Sequence, residues 1–168
     1  NLVDVPLPYH QQLGTGTFGI LPGFAVDFQN ELASLGIQGK ATINIGENGQ
    51  GWSYGDYYEG YLWAGFRGTQ WAGATIGVKY SSWGDISGQD ENVDLTRAIF
   101  TSPAYDRYQS GWRVDLPVGL NIMMPEGSAL EGHHFGVELM IPIHQKLDQP
   151  QMREDMGIVL KWTKGFTL

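Results

Sequence analysis

Apolar and polar residues alternate with a period of two along most of the chain, and seven segments carry the pattern. In the first, about 15–29, Phe18, Ile20, Phe24, Val26 and Phe28 share one parity while Thr15, Thr17, Ala25 and Asp27 share the other. The second, about 35–46, sets Leu35, Ile37, Ala41, Ile43 and Ile45 against Gln38, Lys40, Thr42 and Asn44. The third, about 53–68, sets Tyr58, Leu62, Ala64 and Phe66 against Tyr57, Glu59, Tyr61, Trp63 and Arg67. The fourth, about 71–83, alternates Ala74, Ile76, Val78 and Tyr80 with Thr75, Lys79 and Ser81. The fifth, about 110–124, alternates Trp112, Val114, Leu116, Val118, Leu120 and Ile122 with Arg113, Asp115 and Asn121. The sixth, about 132–145, alternates His133, Phe135, Val137, Leu139, Ile141 and Ile143 with His134, Glu138 and His144. The seventh, about 154–166, alternates Met156, Ile158, Leu160, Trp162 and Phe166 with Asp155, Lys161 and Thr163. Few segments carry a helical period, so the pattern predicts an all-β chain forming one domain over residues 1–168.

Strand length changes the picture. The segments run to roughly 12–15 residues, against about 5–6 for common globular strands and about 9–11 for a strand tilted across a bilayer. The connections alternate as well. Asn30–Ser34, Thr69-Gln70 and 125–131 are short, whereas 47–52, 84–109 and 146–153 are longer. Outer-membrane barrels keep short turns on the periplasmic side and long loops outside. On that rule the C-terminus is periplasmic and residues 1–12 belong to an outer loop. Aromatics collect at the segment ends: Trp52, Tyr54, Tyr57, Tyr58, Tyr80, Trp83, Tyr108 and Trp112 at the outer ends, Trp71, Trp162 and Phe166 at the inner ones. Amphipathic rings suit both headgroup belts, although hairpin ends of water-soluble β proteins also hold aromatics.

Alternation does not say which face is inside. A water-soluble barrel or a β-sandwich with an apolar core has the same periodicity inverted. Bulk argues against the soluble barrel, because the large apolar rows of seven strands would overfill an interior that eight strands only just enclose.

If lipid lies outside, the charges line an interior, and hairpin register can be tested because paired residues keep a constant index sum. A turn at Thr69-Gln70 implies a sum of about 138, which places Glu59 opposite Lys79. A sum of about 299 places Glu138 opposite Lys161 and His144 opposite Asp155, and one of about 257 places Arg113 opposite His144. Opposite charges meeting across strands read either as a charged constriction that selects permeants or as a salt-bridged interior that makes burial tolerable. Pro117 and Pro142 interrupt strand segments on the inward parity, and each removes a ladder hydrogen bond, which calls for a bulge or a hydrated break.

Composition narrows the chemistry. The chain has no Cys, which excludes thiolate metal sites, cysteine nucleophiles and disulfide scaffolds. The formal net charge is -8 and the isoelectric point about 4.8, which disfavours nucleic acid as a partner. A mean hydropathy of -0.23 suits a soluble protein and a membrane barrel equally, since only alternate residues of such a barrel meet lipid. His134 and His144 share a parity with Glu138. They lie ten residues apart on one segment, roughly 33 Å, too far for one metal ion. Ser128 near His133 and His134 raises a lipid hydrolase, but no third orienting group is evident. Asp85, Asp90, Glu91 and Asp94 lack the spacing of a calcium loop and read as a solvated acidic loop, or as weak ligands for the divalent cations that bridge lipopolysaccharide. Gly46-Glu47-Asn48-Gly49-Gln50-Gly51 lacks the Lys-Ser/Thr of a phosphate loop and reads as a turn.

Several runs together resemble a known family. Leu13-Gly-Thr-Gly-Thr-Phe-Gly-Ile-Leu-Pro-Gly-Phe24 is one; the others are Pro125-Glu-Gly-Ser128, Gly132-His-His-Phe-Gly-Val-Glu138, Pro142-Ile-His-Gln-Lys-Leu-Asp148, Pro150-Gln151 and Trp162. They are similar to the C-terminal part of outer-membrane transporters of the MetA-pathway of phenol degradation family, over about residues 9–166. The resemblance implies an outer-membrane β-barrel passing small hydrophobic or aromatic compounds, and it brings no catalytic residues. Family members are longer, and seven strands is an odd number where bacterial single-chain barrels have an even one. Strands are therefore expected on the N-terminal side or from a partner protein or oligomer. The chain starts without Met or a signal-peptide pattern, as a processed chain or a piece of a longer one does. Thr167-Leu168 after Phe166 departs from the aromatic residue with which such barrels usually end.

The expectation is an antiparallel up-and-down transmembrane β-barrel of the bacterial outer membrane, with about seven strands in this chain as part of a larger barrel, in contact with lipid and lipopolysaccharide. Its expected role is a channel or transporter for small solutes, not an enzyme, without cofactor or metal. Its lumen is lined by Glu59, Arg67, Lys79, Arg113, Asp115, Glu138 and Lys161. The rivals are a plugged barrel that anchors a partner complex through loop 84–109, and a lipid-modifying outer-membrane enzyme.

Overall fold

A computed structural model describes Tyr9 and residues 14–90, 109–148 and 151–165. Every regular element among them is a strand: β1 (Phe18–Ile20), β2 (Gly23–Gln29), β3 (Ala33–Ile45), β4 (Trp52–Ser53), β5 (Tyr57–Arg67), β6 (Ala72–Trp83), β7 (Ser87–Gly88), β8 (Gly111–Met123), β9 (His133–Leu147) and β10 (Gly157–Lys164). One 8-stranded antiparallel sheet runs β1/β2, β3, β5, β6, β8, β9, β10, and β4 pairs with β7 in a separate two-stranded ribbon. The period-two pattern is thus realised as a meander of neighbours in sequence.

The first predicted segment is divided at Leu21-Pro22, yet both halves keep one register on β3, with Ile20 opposite Ile43 and Gly23 opposite Lys40. Pro22 has no N–H to donate, but its carbonyl still accepts from Ala41 at 2.9 Å, so the ladder continues through the interruption. The sheet therefore has seven strand positions, as the pattern predicts. Six antiparallel junctions leave the two edges of the described sheet, β1/β2 and β10, running in the same direction.

The apolar rows are not packed against one another. Phe24, Phe28, Ile37, Leu62, Phe66, Ile76, Leu120, Ile143 and Leu160 all lie exposed on one face, and Phe28 keeps 71% of its surface. Among the described residues, no second large sheet covers them. The hydrophobic core proper is Tyr9, Trp52 and Ile86, with Tyr54 packed on it, at one end of the sheet beside the β4/β7 ribbon. Trp52 is therefore a core residue of this cap and not a belt residue, as the sequence pattern had suggested. The cap is pinned to the sheet by Asn44, whose N–H reaches Asp56 Oδ1 at 3.0 Å and whose side chain reaches the Tyr54 carbonyl at 3.1 Å.

The other face is concave. A recess of about 210 Å³ is lined by Tyr61 and Trp63 from β5, Thr75 from β6, Asn121 from β8, Glu138 from β9 and Lys161 from β10. Strands about 4.8 Å apart would spread these residues over about 19 Å if the sheet were flat, so convergence on one small recess requires strong curling. Glycine permits the curl at two positions. A Cβ on Gly36 would stand 2.1 Å from the Trp63 ring, and one on Gly77 would stand 2.6 Å from the Tyr61 ring. Each ring occupies the space that a side chain on the neighbouring strand would need.

Three register expectations need correction. β5 and β6 pair Tyr61 with Lys79 and Glu59 with Ser81, two residues from the expected register. The turn closes on Ala72, whose carbonyl accepts from both Gly68 and Thr69, while Thr69 Oγ1 accepts from Trp71 and Ala72. This hydroxyl-centred turn is longer than a two-residue one. β9 and β10 are likewise displaced by two, with Glu138 opposite Val159, and Asp155 precedes β10 and pairs with nothing in the ladder. The third correction comes from a β-bulge: β8 and β9 pair Gly119 with Glu138 as expected, but Val114 faces His144 and Asp115 faces Pro142. The extra residue reverses parity, so His144 leaves Arg113 and stacks on Trp112 on the convex face, with ring centroids 4.7 Å apart. The bulge also accommodates Pro142, which cannot donate to the ladder.

Candidate functional site

The concave face gathers nearly all the paired charge of the sheet. Strand parity places Lys40, Glu59, Lys79, Arg113, Asp115, Glu138 and Lys161 there, opposite in sense to the exposed Phe, Ile, Leu and Val rows. Lys40 lies directly across from Glu59 and its Nζ meets Oε1 at 3.1 Å. Lys79 reaches Glu59 Oε2 diagonally at 2.9 Å, and the Tyr57 hydroxyl donates to the same oxygen at 2.7 Å. One carboxylate thus joins three strands. The expected Glu59–Lys79 pair forms although the register differs by two, because a lysine side chain spans a diagonal neighbour.

Lys161 and Glu138 also meet diagonally, at 3.3 Å. Arg113 and Asp115 share one strand and one parity, and Arg113 Nε donates to Asp115 Oδ2 at 2.9 Å. Arg113 Nη1 also binds Glu154 Oε2. Asp115 is 1% exposed, and its Oδ1 has no hydrogen-bond partner among the described residues. Arg67 stands apart: it is exposed beside the short β5–β6 turn, with its N–H bonded to the Leu32 carbonyl.

Lys40, Glu154, Gln145 and Tyr57 belong to this network but were not among the expected lining residues. Lys40 was legible, since it shares the polar parity of β3 and pairs directly with Glu59. Glu154 was not, because it lies ahead of β10, where alternation says nothing about direction. Gln145 was hidden by the bulge, which turns it onto the Arg113 side.

The segment from Gln151 to Met156 folds against the mouth of the concave face. Gln151 Nε2 donates to the Ser110 carbonyl at 2.6 Å, and its Oε1 accepts from Trp83 Nε1 at 3.3 Å. Glu154 is held from below by Gln145, whose Oε1 accepts from the Glu154 N–H at 3.2 Å and whose Nε2 donates to the Glu154 carbonyl. Toward the short turns, the aromatic recess shares Thr75, Asn121 and Lys161 with a wider opening of about 450 Å³ that also takes in Arg67, His134 and Thr163.

The other candidate chemistries do not assemble. His133 Nδ1 accepts from Trp162 Nε1 at 2.9 Å on the convex face, and the Ser128 hydroxyl makes no hydrogen bond among the described residues. Among those residues no cluster of three metal-ligating side chains exists. Asp85 is not a free acid of a solvated loop: its Oδ1 accepts from the Gln109 and Ser110 N–H groups at 2.8 and 2.7 Å, tying the two ends of the long connection together. Asp90 is buried, and its N–H donates to the Tyr9 hydroxyl at 3.1 Å. Glu91, Asp94, Tyr108 and Phe166 lie outside the described residues.

No protein family, characterised protein or solved structure matches the chain.

Proposed function

We propose that this sheet is part of the wall of a β-barrel spanning the bacterial outer membrane, and that small solutes cross along its polar concave face. The observation that carries the proposal is the inverted partition of the sheet: apolar rows exposed on the convex face, and the ion-paired acids of the strands, Glu59, Asp115 and Glu138, sheltered on the concave one. Exposed apolar surface of this extent is costly in water and favourable against lipid tails. The charges sit where an enclosed, hydrated lumen would keep them solvated. Tyr58, Tyr80, Trp112 and His144 lie on the convex face toward the longer connections, and Trp162 and His133 toward the short ones, which suits two headgroup belts, the outer one in contact with lipopolysaccharide.

Backbone edges cannot remain unpaired in lipid. Since both edges run the same way, antiparallel closure takes an odd number of further strands, from a longer polypeptide or a partner. Lys40, Glu59, Lys79, Arg113, Asp115, Glu138 and Lys161 would then line the lumen and Arg67 its inner rim. The stacked Tyr61 and Trp63 rings beside the Glu138–Lys161 pair suit small solutes with both an apolar and a polar part, in keeping with the family resemblance.

Reconstitution into liposomes tests this reading: folded protein raises the swelling rate in small neutral solutes and gives discrete single-channel steps. Full-length protein that inserts but passes neither ions nor solutes refutes it. The second reading, an anchoring barrel with a closed interior, is favoured by one observation, the docking of Gln151 and Glu154 over the mouth.

A further inference from the structure

Arg113 holds two carboxylates that are not equivalent. Asp115 belongs to the same strand and has a side chain 1% exposed, whereas Glu154 lies on a connection and is 64% exposed; the Arg113 side chain is 18% exposed. Asp115 takes the Nε edge of the guanidinium, and Glu154 takes Nη1 through one oxygen. A guanidinium fork prefers two parallel bonds to a carboxylate, so this single-oxygen contact leaves the Nη side underused.

The charge around the fork points the same way. The band across β3, β5, β6 and β8 carries Lys40, Lys79 and Arg113 against Glu59 and Asp115, with Lys79 the register partner of Asp115. Glu154 brings the acids level with the bases. When it leaves, the band has one unbalanced positive charge, centred on the only one of its three bases released from a contact. Ser81 and Gln145, the two register partners of Arg113, are polar. Glu154 can swing out without disturbing the ladder, because it precedes β10.

We infer that the Nη side of Arg113 is a binding subsite for a small organic monocarboxylate, and that Glu154 occupies it as a built-in competitor until such a solute displaces it. The inference rests on the solute-passing reading for its purpose, but occupancy of the site does not depend on flux. An entering carboxylate takes the fork in a two-bond geometry, Glu154 withdraws with the segment it belongs to, and the mouth of the concave face opens. Uncharged solutes leave the contact in place.

The test is equilibrium binding of 13C-labelled acetate to the full chain folded in detergent micelles at low ionic strength, read by NMR, with acetamide as the uncharged counterpart. If Glu154 holds the fork nine-tenths of the time, Glu154→Gln tightens acetate binding about tenfold and leaves acetamide unbound. The gain disappears in the triple variant R113Q/D115N/E154Q, in which Asp115 is neutralised with its partner so that no buried acid is orphaned. Circular dichroism verifies that each variant keeps its sheet. Equal acetate affinity in E154Q and the unaltered chain overturns the inference, as does equal binding of acetate and acetamide, or a gain that persists in the triple variant. Flux of neutral solutes in liposomes is read separately: acetate binding without flux refutes the channel and leaves the subsite, and flux without acetate binding does the reverse.

Discussion

Replacing an exposed leucine by arginine separates a lipid-facing sheet from a water-facing one. Leu62 is the central residue of the 11-residue β5, lies on the convex face and is half exposed. Eleven residues at about 3.4 Å span about 37 Å, or about 26 Å of height at a tilt near 45°, close to the apolar band of an outer-membrane barrel. In the proposed barrel Leu62 would sit at the midplane. Phe66, four residues on, is displaced by about 14 Å along the strand and about 10 Å in depth, near the interface. Arginine costs about 2–4 kcal/mol at the midplane of a barrel's lipid face and about 0–1 kcal/mol near its edge. Leu62→Arg is expected to lower unfolding free energy by about 2–4 kcal/mol and Phe66→Arg by less than about 1 kcal/mol. The assay is guanidinium unfolding of full-length protein from phospholipid vesicles, followed by tryptophan fluorescence, with slopes compared to verify a common unfolded state. In water both replacements would fall within about 0.5 kcal/mol of neutral, as exposed substitutions usually do. A Leu62→Arg protein as stable as the parent, or no less stable than Phe66→Arg, refutes the placement of the convex face in lipid.

Three further outcomes follow from the same structure. Glu59→Gln removes the carboxylate that joins Lys40 and Lys79 and leaves two ammonium groups facing one another; hydration of Lys40 moderates the loss to about 1–3 kcal/mol, measured by the same unfolding assay. Gly36→Val forces Trp63 off the neighbouring backbone, costs about 1–3 kcal/mol and shifts the Trp63 contribution to fluorescence, and Trp63→Ala in the same chain recovers most of the loss. In the cap, burial pushes the Tyr54 phenol above its ordinary value of 10.0, and its hydroxyl donates to the Tyr9 carbonyl at 2.6 Å. The protonated phenol is the form the fold favours, so its contribution is complete below pH 10 and is lost as pH rises through the higher folded value; Tyr54→Phe removes that alkaline phase from a 295 nm absorbance and proteolysis titration.

The strands and the two faces were legible because both are local. Alternation over 33–45 or 111–123 needs only the pleat, and it located the long strands to within about four residues. Register was legible only approximately. The Thr69 hydroxyl adds residues to the β5–β6 turn, and nothing in the alternation signals them. The charge pairs survived that error because Lys79 and Lys161 are long enough to reach a diagonal partner. His144 did not survive the bulge at Pro142, since one extra residue exchanges the faces. The cap was not legible either: Tyr9, Trp52, Tyr54 and Ile86 meet from separate connections, and no periodicity runs between them.

By itself the sequence determined that seven long strand positions carry apolar residues on one parity and charges on the other, because strand geometry turns every second residue the same way. Only the tertiary structure decided which parity is sheltered. Curling is a property of the whole sheet: it depends on rings such as Trp63 and Tyr61 settling over glycines of neighbouring strands, contacts that join residues 36 with 63 and 61 with 77. The same curvature brings Tyr61 to the recess shared with Glu138 and Lys161, and the fold of the connection before β10 lays Glu154 on Arg113. Those meetings arise from the curling of the sheet in three dimensions, and a one-dimensional pattern carries no information about them.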